Sequence, residues 1–184
     1  MITPEISEII AAAIESDRID IHTALPGRVQ SYYGTTKTVD VEVGIRRALE
    51  NEDDEIVYED IGVLQNVRIW SFGGAANYVS VRLLPGDEGL LVFCEQNVGQ
   101  WRATNDVAYP DEIGRHTLSG AFFLPGARRD ANVITGDSDG VDLVTPYGTV
   151  TVSSTGIKLE TAGGYIDLPV TGIVDVNGNL TVLP

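Results

Sequence analysis

The spacing of apolar residues changes twice along the chain, and each change marks a different kind of element. Near the N-terminus Ile6, Ile9, Ile10, Ala13 and Ile14 fall on one face at helical spacing, behind Thr3 as an N-cap and Pro4 as a first-turn proline. One short amphipathic helix is predicted there, either docked on its own domain or held out as an adhesive arm for a partner or neighbouring subunit. From Gly27 the period becomes two, most clearly where Val39, Val41, Val43 and Ile45 alternate with Asp40, Glu42 and Gly44. Further strands are predicted over 28–33, 63–70, 79–83, 89–94 and 118–124, punctuated by Gly, Pro and Asn. Short strands without helical periodicity between them predict a small closed barrel such as an OB-fold. The stretch 50–60 carries seven carboxylates and reads as a solvated loop with its shoulders.

Beyond Asp130 the pattern shrinks to two-residue pairs: Val141/Leu143, Val150/Val152, Ile157/Leu159, Ile166/Leu168, Val174/Val176 and Leu180/Val182, each set off by turn or polar positions. Each small strand offers about two inward side chains, too few to offset the entropy of ordering the segment. A lone ladder of this kind also leaves two open edges. Identical copies sharing one interior remove both defects, so the tail is expected to form a multi-chain β-prism, three-fold, with these Val, Ile and Leu residues facing a shared axis. The alternative is a β-solenoid or an edge hairpin packed on the preceding domain.

Composition sharpens the boundary between the two regions. Up to Arg129 lie eleven of the twelve basic residues, both tryptophans and all four phenylalanines; after it come Lys158, Tyr147 and Tyr165. A barrel core needs bulky aromatics, whereas a narrow axial core built from repeated contacts favours medium aliphatics. The formal charge of -15 over 184 residues argues against a nucleic-acid partner, which would require clustered Lys and Arg. It argues equally against charge-driven membrane anchoring. Cys94 is the single cysteine and sits in an apolar run, so an intrachain disulfide is excluded and a buried structural thiol is expected. Neither a signal peptide nor a membrane-spanning helix is expected.

Three segments carry a family pattern: ALPGRVQSYY at 24–33, LPGDEGLLVFCEQNVGQW at 84–101 and GRHTLSGAFFLPGA at 114–127. Together they resemble the N-terminal OB-fold domain of the central baseplate spikes of contractile-tailed bacteriophages. Within it Pro26 and Gly27 would set the turn into the first barrel strand, and Pro85, Gly86 and Gly89 would tighten the loop into the strand ending at Cys94. Trp101 would serve the barrel core or a subunit contact, and Arg115 and His116 a structural hydrogen-bonding role. The resemblance implies a mainly β homotrimer: a helical arm over 1–22, an OB-fold barrel over 23–128, and an intertwined triple-stranded β-helix over 129–184. Its axial core would be Val141, Leu143, Val150, Val152, Ile157, Leu159, Ile166, Leu168, Val174, Val176, Leu180 and Val182, with Leu183 and Pro184 at the apex. It also implies a virion protein of the tail baseplate that docks on a tail hub protein at its N-terminal end. Sheath contraction would drive it transiently through the host outer membrane. Many such spikes end in His-x-His around a metal ion, but here the only histidines are His22 and His116. The apex is therefore expected to be an apolar plug or, in preference, to be covered by a separate tip-capping protein.

Enzymatic chemistry is not expected. Nucleophile elbow, Walker, HExxH and CxxC motifs are absent from the sequence, and the short stretch between Pro125 and the ladder leaves no room for an inserted hydrolase. Asp137, Asp139 and Asp142 form only part of a calcium-loop pattern and read as a polar turn. Neither metal nor other cofactor is expected. The second functional class is a trimeric host-binding adhesin or short tail fibre that recognises a surface glycan.

Overall fold

A computed structural model describes residues 6–19, 21–51, 53, 55–74, 76–110, 113, 115–134, 140–173 and 175–177. The chain divides into two units, Met1–Ala131 and Asn132–Pro184. The first holds helix α1 (Ile6–Ile19), strands β1 (Ala24–Tyr33), β2 (Thr38–Val43), β3 (Arg47–Glu50), β4 (Ile56–Glu59), β5 (Val63–Ile69) and β6 (Glu88–Phe93), helix α2 (Gly99–Ala103) and β7 (Ala121–Pro125). Strands β1, β2, β5, β7 and β6 close into a barrel in that order. Counted along the barrel alone this is 1-2-3-5-4, with the third and fifth strands parallel through Arg68 opposite Phe122 and Ile69 opposite Phe123, which is the OB arrangement. The protein is mainly β, in line with the alternation in its sequence.

The barrel interior is filled by the inward positions of that alternation: Val29, Val39, Val41, Val67, Leu91, Phe93, Ala121 and Phe123, all buried. Phe123 and Leu91 are the largest of its wholly enclosed side chains, beside Val29, Val39 and Val41. Close approach of strands at one end demands glycine. A Cβ on Gly89 would run into the Phe123 ring and the Leu124 carbonyl, and one on Gly27 into the Val41 side chain. Strand β1 pairs with β2 on one edge and β6 on the other, and a register shift between Val29 and Ser31 bends it around the barrel. Asp40 ties three strands together. Its carboxylate accepts the Tyr33 hydroxyl from β1 at 2.8 Å and the Asn66 amide from β5 at 2.9 Å, where Asn66 adopts a positive φ of 55° beside the register shift of the β2–β5 ladder.

Three expectations are corrected. The run 79–83 forms no strand; its neighbourhood is organised by the Pro85-Gly86 turn, in which the Leu84 and Gly86 amides donate to the Asp87 carboxylate and the Val29 carbonyl. Leu83 still enters the core, so the apolar signal there records a plug rather than a ladder. The acidic stretch 50–60 is not a plain loop, because β3 and β4 pair across it as a separate two-stranded hairpin inserted between β2 and β5. The segment before β7 begins as a single 3-10 turn, Leu118–Gly120, before the strand starts at Ala121.

The second unit is a five-stranded antiparallel meander of β8 (Gly140–Thr145), β9 (Gly148–Ser153), β10 (Gly156–Thr161), β11 (Gly164–Pro169) and β12 (Asp175–Asn177). Its regularity has a cause in sequence. Glycine opens β8, β9, β10 and β11 at an eight-residue interval, and the residue three before each of Gly148, Gly156 and Gly164 is Thr145, Ser153 or Thr161. The hydroxyl of Thr145 receives the Tyr147 and Gly148 amides and so pins its two-residue turn.

Candidate assembly interface

Cross-strand register places the tail aliphatics on one face in two unbroken rows. Val141, Val152, Ile157 and Leu168 stand opposite one another in one row, and Leu143, Val150, Leu159, Ile166 and Val176 in the other. The reverse face is polar, with Asp142, Thr151, Lys158 and Asp167 in register. There the Lys158 ammonium donates to Glu160 at 2.9 Å and lies 5.2 Å from the centre of the Tyr165 ring. The bond to Glu160 holds the Lys158 pKa above its ordinary value. On the apolar face the rows are open among the described residues: Val141 is 68% exposed, Leu143 61%, and Val152, Ile157, Leu159, Ile166, Leu168 and Val176 lie between 37% and 47%. Val150 is half-buried. Val174, Leu180, Val182, Leu183 and Pro184 lie outside the described residues, as do Asp137 and Asp139 of the acidic turn.

The ladder hydrogen bonds of this sheet are made within one chain, so the strand exchange implied by an intertwined β-helix is not needed to pair its inner strands β9, β10 and β11. Among the described residues the outer edges of β8 and β12 and the apolar face are left open. The eight exposed members of that face form a continuous patch of the kind that marks an interaction surface.

Elsewhere the structure places the singled-out residues as follows. In α1 the apolar face points to solvent, with Ile6, Ile9, Ile10 and Ile14 each more than half exposed, so docking of that face on its own domain is not realised. Trp101 is not a core residue. It lies on α2, which the strand periodicity did not signal, and is 58% exposed with its ring edge-on to Phe122. Arg115 reaches Glu95 only at 4.0 Å in an exposed pair. His116, at φ 52°, accepts the His22 amide through its backbone carbonyl, while its buried Nδ1 has no hydrogen-bond partner. The structural role expected of it is thus carried by the main chain. Cys94 is half-buried, and burial pushes its thiol pKa up, which disfavours the reactive thiolate. An ion pair missed from sequence joins Glu88 on β6 to Arg129 at 2.6 Å, with the Glu88 carboxylate nearly enclosed and also receiving the Arg129 amide. Among the described residues no three His, Cys, Asp or Glu side chains converge as a metal site.

Comparison with known families supplies the identity of the barrel. Residues 25–126 match the model of the phage protein Gp138 N-terminal domain. The chain belongs to this family. It is therefore a phage protein, and the matched span runs from the second residue of β1 to the glycine that follows β7. Within it fall Pro26, Gly27, Gly89 and Phe123, which set the close strand contacts at one end of the barrel. The aliphatic rows of the tail lie outside the match. No curated protein matches the chain.

Proposed function

We propose that this phage protein is a trimeric central spike of a contractile tail baseplate, a mechanical rather than catalytic part that punctures the host envelope. One observation carries the proposal: the tail sheet has two complete rows of aliphatic side chains on one face, and none of the described residues is set against them. Three such sheets, each turning that face to a common axis, enclose a dry core while their polar faces meet water, and the only additional cost is association. The barrel's family membership supports a place in the virion, with a hub protein of the tail as the partner at the N-terminal end. The tip-capping protein belongs to the same proposal and would sit at the C-terminal end.

Absolute mass in solution is the first test. Light scattering on the full chain should return three times the 19.8 kDa protomer. A stable monomer would remove the shared core and the spike with it. Placement is tested separately by imaging the virion, where the spike occupies the tail tip on the tube axis; attachment at the periphery with host-specific cell binding would instead make it an adhesin.

A further inference from the structure

We infer that the acidic hairpin β3–β4 of each copy docks in the aromatic, arginine-lined cleft of the next copy's barrel, closing a ring of barrels. This rests on the trimer proposed above and names a contact which that proposal leaves open. The hairpin is tied only at its ends among the described residues, by the Arg46–Asp60 pair at 2.8 Å at its base and by the Asn51 side chain, which receives the Asp53 and Glu55 amides, at its turn. A two-stranded ribbon is marginal in water, and here Ile56, Val57 and Tyr58 are 66%, 46% and 68% exposed. From Glu50 to Asp60 it carries seven carboxylates, against Arg47 at the start of its first strand and Arg46, which pairs with Asp60, just before it. Its occupant must therefore offer apolar surface and positive charge together.

One place on the barrel does so. A cleft of about 860 Å³ between β5, β7 and α2 is walled by Ile69, Trp70, Trp101 and Phe122, and it holds both tryptophans of the chain. Trp70 and Trp101 are each about half exposed. Arg68 and Arg102 stand in it; Arg68 donates to the Thr36 carbonyl at 2.7 Å, and Arg102 has no carboxylate partner among the described residues. The one carboxylate in the lining, Asp106, is engaged by the Val107 amide at 2.7 Å. No residue of the hairpin lines the cleft of its own chain. In a protein of formal charge -15, copies repel unless acidic and basic surfaces are matched, and this pair provides the match. Arm-into-cleft contact is heterologous, and a three-fold axis closes it.

The test uses the full chain with Cys94→Ser as background. Glu55→Cys and Arg102→Cys are introduced together and treated with a short bifunctional maleimide. The expected denaturing gel shows covalent trimers, while either cysteine alone gives none. Trimers by light scattering that run as monomers on the gel would overturn the hairpin contact and leave the spike standing. Covalent dimers without trimers would overturn the ring. A monomeric mass for the background chain would overturn the spike itself. As a second measurement, Glu55→Lys and Arg102→Glu should each lower the melting temperature and together restore it; additive losses would also overturn the contact.

Discussion

At the scale of single residues, the barrel depends on a few side chains that no neighbour can replace. Phe123 is wholly buried against the strands around it, so Phe123→Ala opens a cavity at the barrel's centre. It should cost about 3–5 kcal/mol, read as a lowered denaturation midpoint with an unchanged slope. In the tail the demanding position is Gly156, at φ 147°, where a Cβ would meet the Leu168 carbonyl across the ladder. Gly156→Ala should destabilise the sheet by about 1–3 kcal/mol, and circular dichroism melting of the full chain checks it. Asp40 gives a pH test. Its hydrogen bond and negative charge hold the Tyr33 phenol above its ordinary pKa. Because the folded value is raised, the bond contributes stability below about pH 10, and that contribution is lost as pH rises through the shifted value. Tyrosinate absorbance should show one tyrosine titrating earlier in Asp40→Asn than in the parent chain. Identical titrations would place the Tyr33–Asp40 bond elsewhere than in solution.

At the scale of elements, the tail sheet separates two chemistries by a single residue step. Thr151 and Val152 are neighbours on β9 and face opposite sides. Val152→Asp puts a carboxylate into the aliphatic row and should abolish association, whereas Thr151→Asp sits among polar groups and should leave the mass unchanged. Analytical ultracentrifugation of both variants decides it, and equal behaviour would deny that the rows are an interface. This contrast was legible in the sequence, because the period-two pairs named the described residues of the aliphatic face directly. The eight-residue glycine interval was also present and would have fixed the register and turn length, had spacing been counted from the glycines rather than the aliphatics. Other elements left weaker traces. The hairpin β3–β4 reads as a loop because seven carboxylates mask the short apolar run Ile56–Tyr58, and its pairing comes from backbone register rather than from a buried face. Helix α2 spans only five residues, too short for a helical period to show. The run 79–83 alternates like a strand, yet only Leu83 of its apolar residues enters the core, and Val79 and Val81 stay exposed. The Glu88–Arg129 pair joins residues 41 positions apart and had no local signal at all.

At the scale of the whole molecule, the two units should report association differently, and the distribution of aromatic residues makes them separately visible. Trp70 and Trp101 both lie in the first unit and no tryptophan lies in the second, so tryptophan fluorescence follows the barrel alone. Far-ultraviolet circular dichroism follows both. The barrel closes a core within one chain, through Phe123, Leu91, Val39 and Val41, so its transition should not depend on concentration. In the proposed trimer the tail sheet acquires its interior when copies meet, which would link its folded state to protein concentration by mass action. Its transition should therefore move to higher temperature as concentration rises. The Val152→Asp variant should lose that dependence while keeping a fluorescence transition that reports a folded barrel. For a spike the corresponding kinetic quantity matters more than the equilibrium one, because a part driven through an envelope must unfold slowly under load. Unfolding of the parent tail by denaturant jump should accordingly be much slower than that of the variant. A tail transition that ignores concentration, or that is equally fast in both proteins, would mean that the aliphatic rows are stable uncovered, and no shared axis would then be required.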